Sequence, residues 1–292
     1  MTVYDCCMFL NENDLYEIRL NEHWDFVDKF IVVEAGETHT GLKKPLNFDH
    51  ARFEKYKEKI VYVSFDNFED EMKKHPELLD YEATKDRGKD HVAEDWTRDH
   101  FQANYFNVVL AQLGAQDHDI VYVSCLDEII KKSAFEESLT RFADKEARYG
   151  GGLRPIFGFH LYLYAYKFNL LFLHCDNHIA GMITEYETLK KILPATIRNR
   201  SMATHPHIRN GGWHFTFLDN TDGEMVLAKQ RSWAHSKDRD HRKPKFEHEN
   251  KEEAMKRFWE DYKTTVVPIT PETHPKYIVD NLDKLQDFIY RP

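Results

Sequence analysis

Directly after the apolar, β-branched run Asp119-Ile-Val-Tyr-Val-Ser124, the chain reads Cys125-Leu-Asp-Glu128. In open α/β sheets, ligands bind beyond the carboxyl ends of strands, so two adjacent carboxylates at that point invite chemistry. Three readings stand side by side. Asp127 and Glu128 can cap a helix that begins at Ile129-Ile130, hold a hard divalent cation against a diphosphate, or do acid–base work. Farther along, Gly212-Trp-His-Phe215 places Trp213 and His214 on opposite faces of a strand, so that one can line a cleft while the other packs. His235 is either a further ligand beside a metal or a surface residue. Arg198, Arg200, Arg209, Lys229 and Arg231 gather positive charge, which suits a phosphate clamp or a solvated face. There is no GxxxxGK[ST], no GxGxxG after the first strand and no GxSxG. These absences argue against a P-loop NTPase, a typical dinucleotide fold and an α/β-hydrolase.

The elements that must position these residues follow from periodicity. Short apolar runs predict strands over 3–9, 26–34, 60–64 and 119–124, with helical spacing over 13–24 and 96–113 between them. That alternation predicts an α/β domain with a mostly parallel central sheet flanked by helices. The stretch 66–95 is charged and reads as irregular and partly helical. In the second half, the aromatic segment 157–168 and its neighbour 170–175 read as paired strands. Residues 211–217 read as a strand after a glycine turn. Residues 236–250 read as a solvated loop, and 252–262 and 277–290 as the last helices. No repeat or linker divides the chain.

Composition bounds the rest. The 292 residues carry 40 Lys and Arg against 50 Asp and Glu, a formal net charge of −10. That balance argues against wrapping nucleic acid. With 41% hydrophobic and 14% aromatic residues, the chain has ample core material and lacks the signature of disorder. The four cysteines, Cys6, Cys7, Cys125 and Cys175, form no CxxC pair, which fits a reducing compartment. On one strand, Cys6 and Cys7 point to opposite sides. No signal peptide or membrane anchor is visible, and the apolar run 168–174 falls short of the roughly 18 residues a span needs. The expectation is a cytoplasmic or otherwise soluble chain, although a catalytic domain separated from its anchor would look the same.

Ordered blocks across about residues 4–235 resemble glycosyltransferase family 17, the group that contains the enzyme adding the bisecting β-1,4-N-acetylglucosamine to N-glycans. Tyr4-Asp-Cys-Cys-Met-Phe-Leu-Asn-Glu12 with Asp14-Leu-Tyr-Glu-Ile-Arg-Leu-Asn21 is similar to the family opening. Val27-Asp-Lys-Phe-Ile-Val-Val-Glu-Ala35 with Thr38-His-Thr-Gly41 is similar to the next block. Trp96-Thr-Arg-Asp99 with Gln102 and Asn104 resembles W-x-R-E-x-x-Q-R-N, with Asp99 for Glu and Ala103 for Arg. Gly212-Trp-His-Phe-Thr216 resembles GWHFS, and Lys229 to Ser232-Trp-Ala-His235 resembles K-x-x-S-F-S-H. The family's S-D-x-D-E-I-P stands here as Ser124-Cys-Leu-Asp-Glu-Ile-Ile130, with Cys125 in place of the first Asp.

The resemblance implies a GT-A-like single domain, with a nucleotide-sugar half over about 1–130 and an acceptor-side half over about 131–292. It implies a UDP-sugar donor, N-acetylglucosamine transfer to a carbohydrate acceptor with inversion, and Mn²⁺ or Mg²⁺. Asp127 and His235 are then the metal candidates, since Cys125 is a soft ligand poorly matched to Mg²⁺. Glu34, Arg98, Asp127, Trp213, Lys229 and Arg231 are the donor-binding candidates, with Glu34 beside the nucleotide. Asp176, Asp219 and Glu128 are the acid–base candidates, Asp176 preferred because a carboxylate just past a strand end can reach the cleft. The tyrosines and Trp213 suit stacking against a sugar ring, with core packing as the alternative. A non-catalytic carbohydrate-binding protein on the same fold and a nucleoside-phosphate transferase or hydrolase are the rival functions. Donor sugar, acceptor, linkage and oligomeric state are left open.

Overall fold

The computed structural model describes residues 1–80, 93–143, 152–173, 178–198, 206–237 and 250–291. The first strand, β1 (Val3–Phe9), is apolar on both faces apart from the buried Asp5, as befits a strand covered on both sides. Cys7 lies in the core on one face and Cys6 in the core on the other, so both thiols are buried. Helix α1 (Asn13–His23) returns the chain to β2 (Lys29–Ala35), which pairs parallel with β1 and with β3 (Ile60–Phe65). After α2 (Phe68–Lys74), α3 (Ala93–Asn104) and α4 (Phe106–Gln112), β4 (Ile120–Cys125) joins the other edge of β1 in parallel register, Cys6 opposite Val123.

A short strand β5 (Glu128–Ile130) precedes α5 (Lys132–Phe142). The sheet then continues through antiparallel partners. It takes in β6 (Ile156–Ala165), β7 (Leu170–Phe172) and β8 (Ile179–Glu185), and β8 docks on β4. β9 (His207–Thr216) runs parallel to β6 and antiparallel to β5, α6 (Glu224–Ser232) and α7 (Lys251–Asp261) follow, and β10 (Thr264–Val266) closes the edge on β7. The path β10-β7-β6-β8-β4-β1-β2-β3 is therefore mixed, and its longest ladders are parallel. Leu15, Ile18 and Leu20 of α1 and Phe135 of α5 fill one face, while Phe101 of α3 and Phe106 and Val109 of α4 fill the other. The chain is a single α/β domain with a mixed, mostly parallel sheet flanked by helices, consistent with the GT-A-like expectation.

Several expectations need correction. Ile129 and Ile130 do not open a helix; they pair with Trp213 and Gly212 in β5–β9, and α5 begins only at Lys132. The glycines of 211–212 lie inside β9 rather than in a turn before it. Gly212 has φ 152°, and a Cβ there would sit 2.1 Å from the Ile129 carbonyl oxygen, so β5 and β9 approach closely only because this residue has no side chain. The helix predicted over 277–290 is only Lys276–Asp280, because the chain turns at Asn281 and sends Leu285 and Phe288 back into the core. The helix predicted over 96–113 is two helices that meet at Tyr105. No helix among the described residues is long and apolar enough to cross a membrane.

Candidate functional site

A cleft of about 330 Å³ opens at the carboxyl ends of β1, β2 and β4. Its floor is the turn from Cys125 to Glu128, and the device that shapes this turn is Arg19. That side chain is fully buried in α1. It donates from Nη1 to the carbonyls of Cys125 (2.9 Å), Leu126 (3.1 Å) and Glu128 (2.8 Å), and from Nη2 to Ser124 Oγ (2.6 Å). Its charge is met by Asp5 of β1, which accepts from Nε at 3.0 and 3.1 Å. His23 completes the group: its Nδ1 bonds Asp5 at 2.7 Å, and its Nε2 accepts from the Ile130 amide at 3.1 Å. Burial alone would raise the Asp5 carboxyl, but Arg19 and His23 outweigh it and lower it to about 2.

Above this base, the turn presents its side chains to the cleft. Asp127 Oδ2 accepts from Lys229 Nζ at 2.7 Å, and Oδ1 lies 3.4 Å from His214 Nε2. Burial opposes ionisation of Asp127, yet Lys229 and His214 hold its carboxyl well below the usual range. Burial likewise disfavours the Lys229 ammonium, and Asp127 more than offsets it. His214 Nδ1 lies 2.5 Å from His178 Nε2, so Asp127, His214 and His178 form a chain of hydrogen-bonding groups along the cleft wall. Burial, with His214 beside it, pushes His178 down to about 3, so its ring is neutral at neutral pH. Glu128 turns inward, and its Oε2 accepts from the Cys125 amide at 3.0 Å. Arg198 Nη2 lies 2.7 Å from Cys125 Sγ, and burial pushes that thiol well above its ordinary range.

The opposite wall comes from the loop after β2 and from α3. His39 Nε2 bonds Gln102 Oε1 at 2.8 Å, its Nδ1 lies 3.5 Å from Asp99, and Gln102 Nε2 donates to the Val33 carbonyl at 2.8 Å. Trp96 meets His235 edge to face, with ring centroids 4.5 Å apart, and both line the cleft with Trp233.

Of the residues singled out by sequence, Asp127, Glu128, Lys229 and His235 thus come together at the cleft. Others stand elsewhere. Glu34 is fully buried behind it, accepting from Lys44 Nζ (2.6 Å), the amides of Asn47 (2.7 Å) and Phe48 (3.2 Å) and Tyr62 Oη (2.8 Å), so it fixes the loop after β2. Arg98 donates to the His39 carbonyl at 3.0 Å and to Asp95 at 3.2 Å. Trp213 points to the far face and donates to the Thr273 carbonyl at 2.7 Å, which leaves His214 as the member of that pair in the cleft. Asp219 accepts from the amides of Thr221 (2.6 Å) and Val226 (3.0 Å) and so organises the start of α6. The Arg231 carbonyl accepts from Thr40 Oγ1 at 2.8 Å. Asp176 and Arg200 lie outside the described residues, and Arg209 is exposed. The aromatics of 157–168 and 213–217 are mostly core: Phe157, Phe159, Tyr164, Phe168, Trp213 and Phe215 are all buried.

Sequence reading missed Arg19, His39 and His178 as site residues. Arg19 had a signal. It stands among Leu15, Tyr16, Ile18 and Leu20, so α1 is apolar around much of its circumference and a buried arginine needs a buried acid. Nothing local marked His178.

Cys125, Asp127 and Glu128 bring one ligand atom each within 4.8 Å of one another, a cluster capable of coordinating a metal ion. His235 is not part of it. Tested against Mn²⁺ or Mg²⁺, the donor set as arranged does not fit. Such ions prefer several free oxygen ligands. Here one donor is a protonated thiol against Arg198, both Asp127 oxygens face Lys229 or His214, and Glu128 is bonded to backbone.

A family model described as Glycosyltransferase family 17 matches residues 1–258. No curated protein matches the chain.

Proposed function

The chain belongs to glycosyltransferase family 17, and from that premise we propose that it transfers a sugar from a UDP-sugar to a carbohydrate hydroxyl, with inversion at the anomeric carbon. N-acetylglucosamine is the proposed sugar, from the resemblance of the motifs. One observation carries the reading: a cleft at the carboxyl ends of parallel strands brings Lys229 and Arg198 onto the turn that bears Asp127. The acceptor oxygen bonds to the anomeric carbon as the bond from that carbon to the diphosphate breaks. The hydroxyl proton passes to a base, and the diphosphate leaves with the bonding electron pair.

In this reading Lys229 and Arg198 face the growing diphosphate charge, which costs little reorganisation because both are held in place. His39, Trp96 and His235 form the opposite wall and would bound the nucleotide. Asp176 and His178, two positions apart before β8, are the proposed proton acceptors. His178 lines the cleft and its Nε2 is engaged by His214, which orients the other nitrogen, while burial makes its ring a weaker base than an ordinary histidine.

Incubation with a panel of UDP-sugars and oligosaccharide acceptors tests the proposal. The expected result is acceptor-dependent UDP release with a product heavier by one sugar. Saturable glycan binding without turnover of any donor would make the chain a binding protein. Release of a sugar phosphate would make it a hydrolase acting at phosphorus.

A further inference from the structure

We propose that this site binds the donor diphosphate without a divalent cation, Lys229 and Arg198 supplying the two positive charges that a bridging metal would bring. The inference rests on the nucleotide-sugar reading above and specifies how that site meets its charge. Three observations carry it. First, Asp127 is engaged as a counter-ion: Lys229 sits on one oxygen at 2.7 Å and His214 lies near the other at 3.4 Å. Second, the neighbouring ligand position is a sulfur atom with a guanidinium on it, Arg198 Nη2 at 2.7 Å from Cys125 Sγ. Third, Cys125, Asp127 and Glu128 each bring a ligand atom within 4.8 Å of the others, so both contacts fall on one cluster. The ammonium and the guanidinium therefore contact two of the three groups from which a metal would be ligated.

A divalent ion seated among Cys125, Asp127 and Glu128 would meet two cations already in contact with its ligands, and like charges so close repel. A diphosphate meets the same two cations favourably, and charge-assisted hydrogen bonds from Arg and Lys are the strong kind. Glu128 is partly committed as well, since its Oε2 holds the Cys125 amide. Lys229 remains aimed at the cleft because Asp127 and the helix α6 hold it there. Asp127 is thus a positioning residue in this arrangement.

Isothermal titration of the full chain with UDP, and separately with inorganic pyrophosphate, decides the matter. It is run first in EDTA and then with added Mn²⁺ or Mg²⁺. The expected dissociation constants agree within about threefold between the two buffers. Lys229→Gln and Arg198→Gln each weaken binding in EDTA by about tenfold or more. Lys229→Arg, which keeps the charge, retains binding and separates lost charge from lost folding, with a thermal melt of each variant alongside. Asp127→Asn changes pyrophosphate affinity to the same extent in EDTA and with Mn²⁺ or Mg²⁺, as a positioning counter-ion should and a metal ligand should not. Binding that appears only with Mn²⁺ or Mg²⁺ overturns the inference and leaves the transferase reading standing. No binding of UDP or pyrophosphate in either buffer overturns the nucleotide-sugar reading, and the inference with it.

Discussion

At the scale of single residues, the site is organised by charge pairing across one turn. Lys229 and Asp127 are each buried enough that either alone would be costly, and each is stabilised by the other. Lys229→Gln is therefore expected to lower kcat/KM for sugar transfer by about 100-fold, the usual effect of losing one preorganised charge at a leaving group. Initial rates at subsaturating donor measure this, and a loss below about threefold would remove Lys229 from the leaving-group role. The base is tested in the same assay. His178→Gln and Asp176→Asn remove the two proposed proton acceptors, and the true one lowers kcat by about 100-fold or more while leaving UDP affinity unchanged. Equal, small effects from both would place the base elsewhere.

At the scale of elements, the cleft exists because α1 locks the β4–β5 turn. Arg19 donates to three carbonyls and a hydroxyl of the turn, while Asp5 and His23 complete its environment. Arg19→Met keeps much of the volume but leaves Asp5 as an uncompensated buried charge. It is expected to cost about 3–5 kcal/mol in urea unfolding, far more than a surface charge change. Asp5→Asn in the Arg19→Met background should recover part of that loss, since it removes the stranded charge. A cost near zero for Arg19→Met would show that the turn holds its shape without the arginine. Gly212 plays a different part: β9 reaches β5 only where no Cβ intervenes, so Gly212→Ala is expected to loosen the same turn from the opposite side.

At the scale of the whole molecule, buried neutral histidines tie stability to pH. Burial lowers His178, His23 and His274 below the ordinary value of 6.5, and His178 reaches about 3. A histidine held neutral in the fold contributes its full stability above about pH 6.5 and loses it as pH falls through that value, because the unfolded chain takes up the proton first. At pH 5 the His178 share of the loss is about 2 kcal/mol by that linkage. The thermal midpoint is expected to fall from pH 7 to pH 5, and less steeply in His178→Gln. An unchanged midpoint over that interval would contradict the neutral burial of these rings. Asp5, lowered to about 2, acts in a separate window, losing its contribution only as pH falls from about 4 toward 2.

The sequence by itself determined the alternation of strands and helices through β4, because strands covered on both faces are predominantly apolar, as Val3–Phe9 is apart from Asp5 and Ile120–Cys125 apart from Ser124. It also determined that Asp127 and Glu128 follow the end of such a strand, where ligands bind. Tertiary structure alone decided what those carboxylates do. Lys229 lies 102 positions from Asp127 and Arg198 lies 73 from Cys125, separations that no local pattern encodes. The same holds for His178, which meets His214 across 36 positions, and for Trp213, whose strand parity left two faces open until β5 and the core claimed one. Periodicity reports which way a side chain points from its own backbone. Only the packed sheet decides what lies there to meet it, and in this chain that partner is what turns an acidic pair into a charge-paired cleft floor.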